Sequence, residues 1–422
     1  MYRHSRPAVV AAALSALFAA APAVAADWPQ WRGVNRDGTS AEVGLLKEWP
    51  AGGPKLLWRA EKLGAGFSTP SVAGGKVFVI GNEGMDAEYV RAYSAADGKL
   101  VWSSQKVGRV GNPNQQPPYP AARATPTVDG DLVFALGSDG DLACLDAATG
   151  TLKWHKSLRK DFGGKPGDWA YSESPLVEGD RVIVTPGGAD ATVVALDKKT
   201  GEVAWKFASP DADEAGYGSP VVADIAGVRQ VVNFLGKGVV GLDPATGKQL
   251  WKFAGTSGRA NMTTPVVHDG LVYTAGGLAV GGAAKVTKGA DGTWTATQVY
   301  ADKKLPISSG GVVRVGDYGY GGTQQGVQCF DLRTGAIKWQ EKGVGPASLA
   351  VADGRLYLHG EAGPLALVEP TPDGYRERGR FTPADLPPRA PTAKAYAHPV
   401  IADGKLFVRD GDVLLCYDVK AK

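Results

Sequence analysis

The sequence predicts an all-β protein, an eight-bladed β-propeller of four-stranded antiparallel blades, closed by an N-terminal strand that completes the last blade. Three observations predict it. First, a phrase of the form apolar–Asp–x–x–Thr–Gly–x–x–x–Trp recurs: CLDAATGTLKW (144–154), ALDKKTGEVAW (195–205), GLDPATGKQLW (241–251) and CFDLRTGAIKW (329–339), with AYSAADGKLVW (92–102) a looser copy. Second, a shorter marker (FSTPSV, RATPTV, SESPLV and their relatives) opens eight units, near Ser68, Ala124, Glu173, Gly218, Thr263, Ser308, Ala347 and His398. Third, the last unit holds three strands and no Trp strand, whereas GGPKLLWRA (52–60) is a Trp strand with no blade of its own.

Along the chain, residues 1–25 read as a secretory signal peptide: Arg3 and Arg6, an apolar run from Ala8 to Ala21, then Ala23-Val24-Ala25. That run is shorter than the roughly 20 residues that span a bilayer. The mature chain is expected to begin at Ala26 and to be periplasmic or secreted, with an arm over 26–51 and the propeller over 52–422. The arm carries Trp28 and Trp31 ahead of any blade, and these are expected to staple it across the propeller surface. Within a unit, short apolar or alternating runs are separated by Asp-Gly, Gly-Gly or Thr-Gly, the pattern of consecutive hairpins. Residues 124–154 show it: ATPTV, a turn at Asp129-Gly130, LVFALG, a turn at Ser138-Asp139-Gly140, LACLDA, Thr149-Gly150, then TLKW. Units of about 45–50 residues with four strands are the length of a propeller blade.

The recurring phrase has a structural reading. Its Gly allows positive φ in the turn between third and fourth strands, its Asp bonds the turn backbone, and its Trp fills the gap between blades. Trp58, Trp102, Trp154, Trp205, Trp251 and Trp339 are therefore the expected blade-docking residues. The fifth unit replaces the phrase with AAKVTKGADGTWTATQVY (283–300), and the seventh, LALVEPTPDGYRERGRF (365–381), has no Trp.

Composition narrows the function. With 58 Gly, 28 Pro and 11 Trp the chain suits many strands and tight turns. Removing the two Arg of the signal peptide leaves a formal charge of +1, with no Lys/Arg cluster, so no nucleic-acid partner is expected. Neither is an integral membrane protein; a monomer is. Cys144, Cys329 and Cys416 occupy one equivalent slot in three units, so buried thiols rather than disulfides are expected. GKGVVG (236–241) matches G-x-G-x-x-G but lies between strands with no helix to receive a phosphate. The five His lack metal-ligand spacing, and no G-x-S-x-G elbow is present.

The repeated phrase resembles the tryptophan-docking motif of pyrroloquinoline-quinone (PQQ)-like propellers. That superfamily holds the eight-bladed quinoprotein alcohol dehydrogenases and the outer-membrane assembly lipoprotein BamB. DWPQWRGVNRDGTS (27–40) is also similar to the N-terminal segment of exported PQQ-like repeat proteins of planctomycetes and related bacteria. The resemblance covers about residues 52–419 and implies two kinds of function. The first is a non-catalytic binding or scaffold protein of the cell envelope, with an envelope protein or peptide as partner and no cofactor. The second is a PQQ-dependent dehydrogenase with calcium. For the second, the family pattern implies adjacent Cys–Cys over the quinone, Glu and Asn ligands for the metal and an Asp base. This chain has no Cys–Cys pair, and no Cys-x-x-Cys-His for an attached haem. A carbohydrate- or peptide-binding module is a further alternative.

A propeller's usual place for function is the channel mouth, where residues enter each innermost strand. Here the ligand-binding candidates are Arg123, Glu173, Tyr217, Asn261 and His398, with Ser68, Thr125, Ser219, Thr263, Ser308, Ser309 and Ser348 between them. Glu173 and Asn261 are the metal-ligand candidates of the dehydrogenase alternative. Two long loops, 108–123 and 161–174, are expected to overhang this face and to bring Trp169 and Tyr171 to it.

Overall fold

Each repeat folds into one antiparallel sheet whose strands follow chain order outward from the centre. In the second, Thr127–Asp129, Leu132–Leu136, Asp141–Asp146 and Leu152–Ser157 pair in succession. The computed structural model describes Met1 and residues 27–422, apart from 112–120, 212, 278, 308–310, 385 and 387–392. The proposed signal peptide after Met1, Ser308, Ser309 and the middle of the 108–123 loop lie outside the described residues. Among those described there are eight such sheets, making the all-β eight-bladed propeller that the sequence predicts. One short helix, Leu158–Phe162, interrupts the β pattern; Ser157 Oγ caps it and Gly163, at φ 62°, ends it. No described helix is long and apolar enough to cross a membrane.

The ring closes as the orphan Trp strand requires. Lys55–Ala60 runs antiparallel to Val413–Asp418, with Lys55 opposite Asp418, Trp58 opposite Cys416 and Ala60 opposite Leu414. Closure removes the sheet edges that a broken ring would expose. Arg409, fully buried, locks the same seam: Nη1 donates to Ser68 O (3.2 Å) and Ile80 O (2.7 Å), Nη2 to Gly64 O (2.9 Å) and Nε to Gly411 O (3.0 Å).

Blade faces pack through Val, Ile, Leu and Phe of the second and third strands, nearly all fully buried. The three cysteines sit among them as free thiols, and burial pushes Cys144 and Cys416 up to about 12 and Cys329 to about 11.

The recurring phrase reaches from one blade to the next. Asp146 Oδ1 accepts from the N–H groups of Ala148 and Thr149 and from the Thr149 hydroxyl; Asp197 and Asp243 repeat the cage, and Asp331 keeps its two N–H bonds. Gly150 then turns at φ 74°, and a Cβ there would sit 2.4 Å from Cε3 of Trp102 of the preceding blade. The glycine is therefore a seat for the neighbour's indole as well as a turn. Trp102 Nε1 donates to Ala147 O at 3.2 Å, and Trp58, Trp154 and Trp205 do the same to Ala95, Lys198 and Pro244. Where the phrase is lost the scheme is repaired. Tyr300 sits over Gly335 and donates to Leu332 O; Phe381 sits over Gly53; Trp251, with no such turn in the fifth blade, donates to Gln230 Oε1 of its own blade. Trp339 donates to Thr371 O at 2.8 Å.

Candidate functional site

The N-terminal arm does not lie across the outer surface, as expected from its two tryptophans. It enters the channel. Trp28, 1% exposed, bridges Val72 of the first blade's innermost strand through two 2.8 Å backbone bonds. Val128 N of the second donates to Pro29 O, and Thr39–Ser40 adds a parallel strand inside the seventh, against Val351 and Ala352. Arg36 donates to Ser174 O and Pro175 O of the third blade, and Arg32 to Val312 O of the sixth. Trp31 spans the fifth and eighth: Nε1 donates to Thr264 Oγ1 at 2.8 Å, and its ring meets that of His398 edge-on, 4.6 Å between centroids. The physical reason is the channel itself, whose inner strands present unpaired backbone groups that need partners. Five blades, the first, second, third, sixth and seventh, find them in the arm, and Trp31 meets the fifth and eighth through side chains.

The mouth residues divide accordingly. Ser174 Oγ accepts from Thr125 N, Ser219 Oγ from Ser174 N, and Thr69 Oγ1 from His398 N, each at 2.9 Å, so the hydroxyls stitch each blade start to its neighbour. Asn261 is spent likewise. Its Nδ2 donates to Leu235 O (2.7 Å) and Gly236 O (2.8 Å), its Oδ1 accepts from Gly258 N, and its carbonyl accepts from Tyr217 N. Arg123 Nε donates to Ala121 O at 3.3 Å. Its charge, with other neighbours, offsets part of the upward push that burial gives the Tyr217 phenol. His398 is buried on the channel wall, its Nδ1 3.3 Å from Leu349 O.

Tyr217 is half-buried and tied to the 161–174 loop: its hydroxyl accepts from Trp169 N, and the two rings meet 5.6 Å apart. Arg259 lies over the Trp169 ring and pairs with Asp168 at 3.0 Å. Phe67 and Tyr396, also half-buried, form a second aromatic pair, at 5.4 Å. Tyr171 is buried beneath, donating to Pro186 O.

Glu88, Glu173, Asp213 and Asp410 are the buried carboxyls among the described residues, and burial raises the first two. Glu173 accepts from Thr185 N, and burial raises it to about 7 despite that bond and the nearby Arg36. Glu88, between the first two blades, accepts from the Ser138 N–H and hydroxyl, yet burial pushes it up to about 8. The unfolded chain loses this proton near 4.5 while the folded chain keeps it, so stability falls as pH rises from about 4.5 to 8. Glu88→Gln, which copies the protonated form, is expected to flatten that slope. Urea unfolding at about pH 5 and pH 8 should show the native chain losing on the order of 1–3 kcal/mol more than the variant.

These donors do not fit a calcium–quinone site. Asn261 has both ends of its amide on backbone, Glu173 is held by Thr185, and Trp31 fills the channel beside His398. Among the described residues no three His, Cys, Asp or Glu side chains gather as metal ligands.

A protein-family model described as outer membrane protein assembly factor BamB matches residues 39–122 and 86–341. BamB of Moranella endobia (strain PCIT) is 29% identical over 140 residues, 33% of this chain and 31% of that relative. The dehydrogenase subunit of the alcohol dehydrogenase (quinone) of Komagataeibacter europaeus is 30% identical over 145 residues, 33% of this chain and 19% of that one. The chain thus matches about a third or less of the length of these curated relatives. Among solved structures, BamB from Moraxella catarrhalis superposes with a TM-score of 0.59 at 15% identity, covering 87% of this chain and 98% of that one. Quinohemoprotein alcohol dehydrogenase from Comamonas testosteroni gives 0.51 at 14% identity, covering 94% and 81%. At these identities the two structures speak to the fold alone.

Proposed function

Because this chain belongs to the family of the outer membrane protein assembly factor BamB, we propose that it is an exported, non-catalytic propeller that binds a protein or peptide of the cell envelope. In this reading it works as a monomer, periplasmic or secreted after cleavage near Ala25, and takes no cofactor. The observation that carries the reading is the filled channel. Mouth residues that could have served a ligand are committed to backbone, and the chain's own arm occupies the space beneath them. At the mouth, what is left for a protein or peptide is the rim, where Trp169 and Tyr217 stand beside Arg259, and Phe67 beside Tyr396. Half-exposed aromatics next to cations suit an amphipathic peptide segment, since aromatic and Arg anchors dominate binding energy at protein interfaces.

The dehydrogenase alternative also has relatives by sequence, but its calcium ligands are the groups that the fold has already used. The test is direct. The purified chain, titrated to about 50 µM PQQ with calcium, is expected to give no saturable change in fluorescence and no dye-linked alcohol oxidation. Saturable binding with turnover would overturn the proposal. In parallel, envelope proteins retained by the immobilised chain should be lost, at least tenfold, from the Trp169→Ala, Tyr217→Ala double variant. Equal retention would place the binding surface elsewhere.

A further inference from the structure

One blade is left out by the arm. The arm engages the inner strands of five blades through its backbone and arginines and meets two more through Trp31, whereas Val221–Ala223 of the fourth faces it across an open cleft of roughly 140 Å³. One wall is apolar, made by Val222 and, from the fifth blade, Val266 and Val267; the other carries Arg32, Arg36 and, from the sixth blade, Arg314, with Asn35 and the single carboxylate Asp37 beside them, so the lining keeps a net positive charge.

These arginines lack what buried cations ordinarily have. Arg32 and Arg36 are 1% and 2% exposed, yet neither forms an ion pair with a described carboxylate; their hydrogen bonds go to carbonyls and to the Gln30 amide. Arg32 Nε and Nη1 and Arg36 Nε make no hydrogen bond at all. Arg314 donates to Gly316 O and pairs with no described carboxylate either. The carboxylates that act on them electrostatically are Asp37, on Arg32, and Glu173, on Arg36; Asp37 is exposed and Glu173 is itself raised to about 7. Both arm arginines also hold left-handed backbone, φ 60° and 57°, a conformation that costs an ordinary residue about 1–2 kcal/mol. Unpaired buried charge and a strained backbone in one short turn are costs that a bound partner would offset.

We infer that this cleft is a binding site for a carboxylate carrying a short aliphatic chain, the carboxylate lying against Arg32, Arg36 and Arg314 and the chain against Val222, Val266 and Val267. Three guanidiniums supply charge-assisted donors. The valine wall selects against a bare oxyanion, which leaves it uncovered. The inference goes beyond the proposed function and does not rest on it, since the cleft stands apart from the aromatic rim.

Calorimetric titration of the purified chain with butyrate, with butyramide and with inorganic phosphate tests it. Butyrate should bind saturably and at least tenfold tighter than the other two. Arg314→Ala, at a half-buried position, should weaken butyrate at least tenfold, and Val222→Glu, which brings its own carboxylate, should abolish binding. Circular dichroism melts establish that each variant is folded, and either one suffices. Phosphate binding as tightly as butyrate, butyramide binding equally, butyrate binding unchanged in a folded variant, or no saturation below about 20 mM would each overturn the inference.

Discussion

Arg409→Ala is expected to destabilise the propeller by about 3–5 kcal/mol, read as a fall in the urea midpoint at unchanged slope. One guanidinium donates to four carbonyls across the seam between first and last blades. The variant would leave those acceptors buried and unpaired and open a cavity beside Gly66, whose missing Cβ makes room for Nη2. Burial lowers this side chain to about 10, so it stays charged over the whole neutral range. Arg409→Lys should recover only part of the loss, because a single ammonium cannot span carbonyls on both blades. A loss below about 1 kcal/mol would mean that the closing strand carries the seam without the arginine.

Trp102→Ala should cost about 3–5 kcal/mol, and Gly150→Ala about 2–4 kcal/mol. The glycine loss has two parts: a Cβ 2.4 Å from the indole, and alanine held at φ 74°. Only the first depends on the tryptophan. The double variant should therefore lose less than the two single losses together, by at least about 1 kcal/mol. Additive losses would show that the glycine serves its own turn alone and that the indole takes its stability from elsewhere.

The first four docking contacts were legible because sequence repeats them: Asp, Gly and Trp at fixed offsets can be read without coordinates. Tyr300 and Phe381 were not, although each holds the docking place of its blade. Their blades lost the phrase that marks the offset, and an aromatic alone carries no register. The arm's destination was hidden for another reason. Trp28 and Trp31 announce burial without saying where, and the inner strands that receive them look like any other short strand. Arg32, Arg36 and Arg409 were invisible for the same chemical reason as Asn261: their partners are backbone carbonyls, which every residue has. The helix at Leu158–Phe162 is too short to impose a period.

The arm also sets the order in which the molecule can be made. Its contacts join residues hundreds apart in the chain, with Arg32 on Val312 and Trp31 on His398, and the seam adds the Gly64 amide on Asp412. Such pairings raise the contact order, and their loop-closure entropy is met before the contacts give anything back. The arm is thus the last of the described elements to find its place. Until the final blade is present, Trp31 lacks the ring of His398, and folding is completed when the arm settles into the channel that the last blade closes.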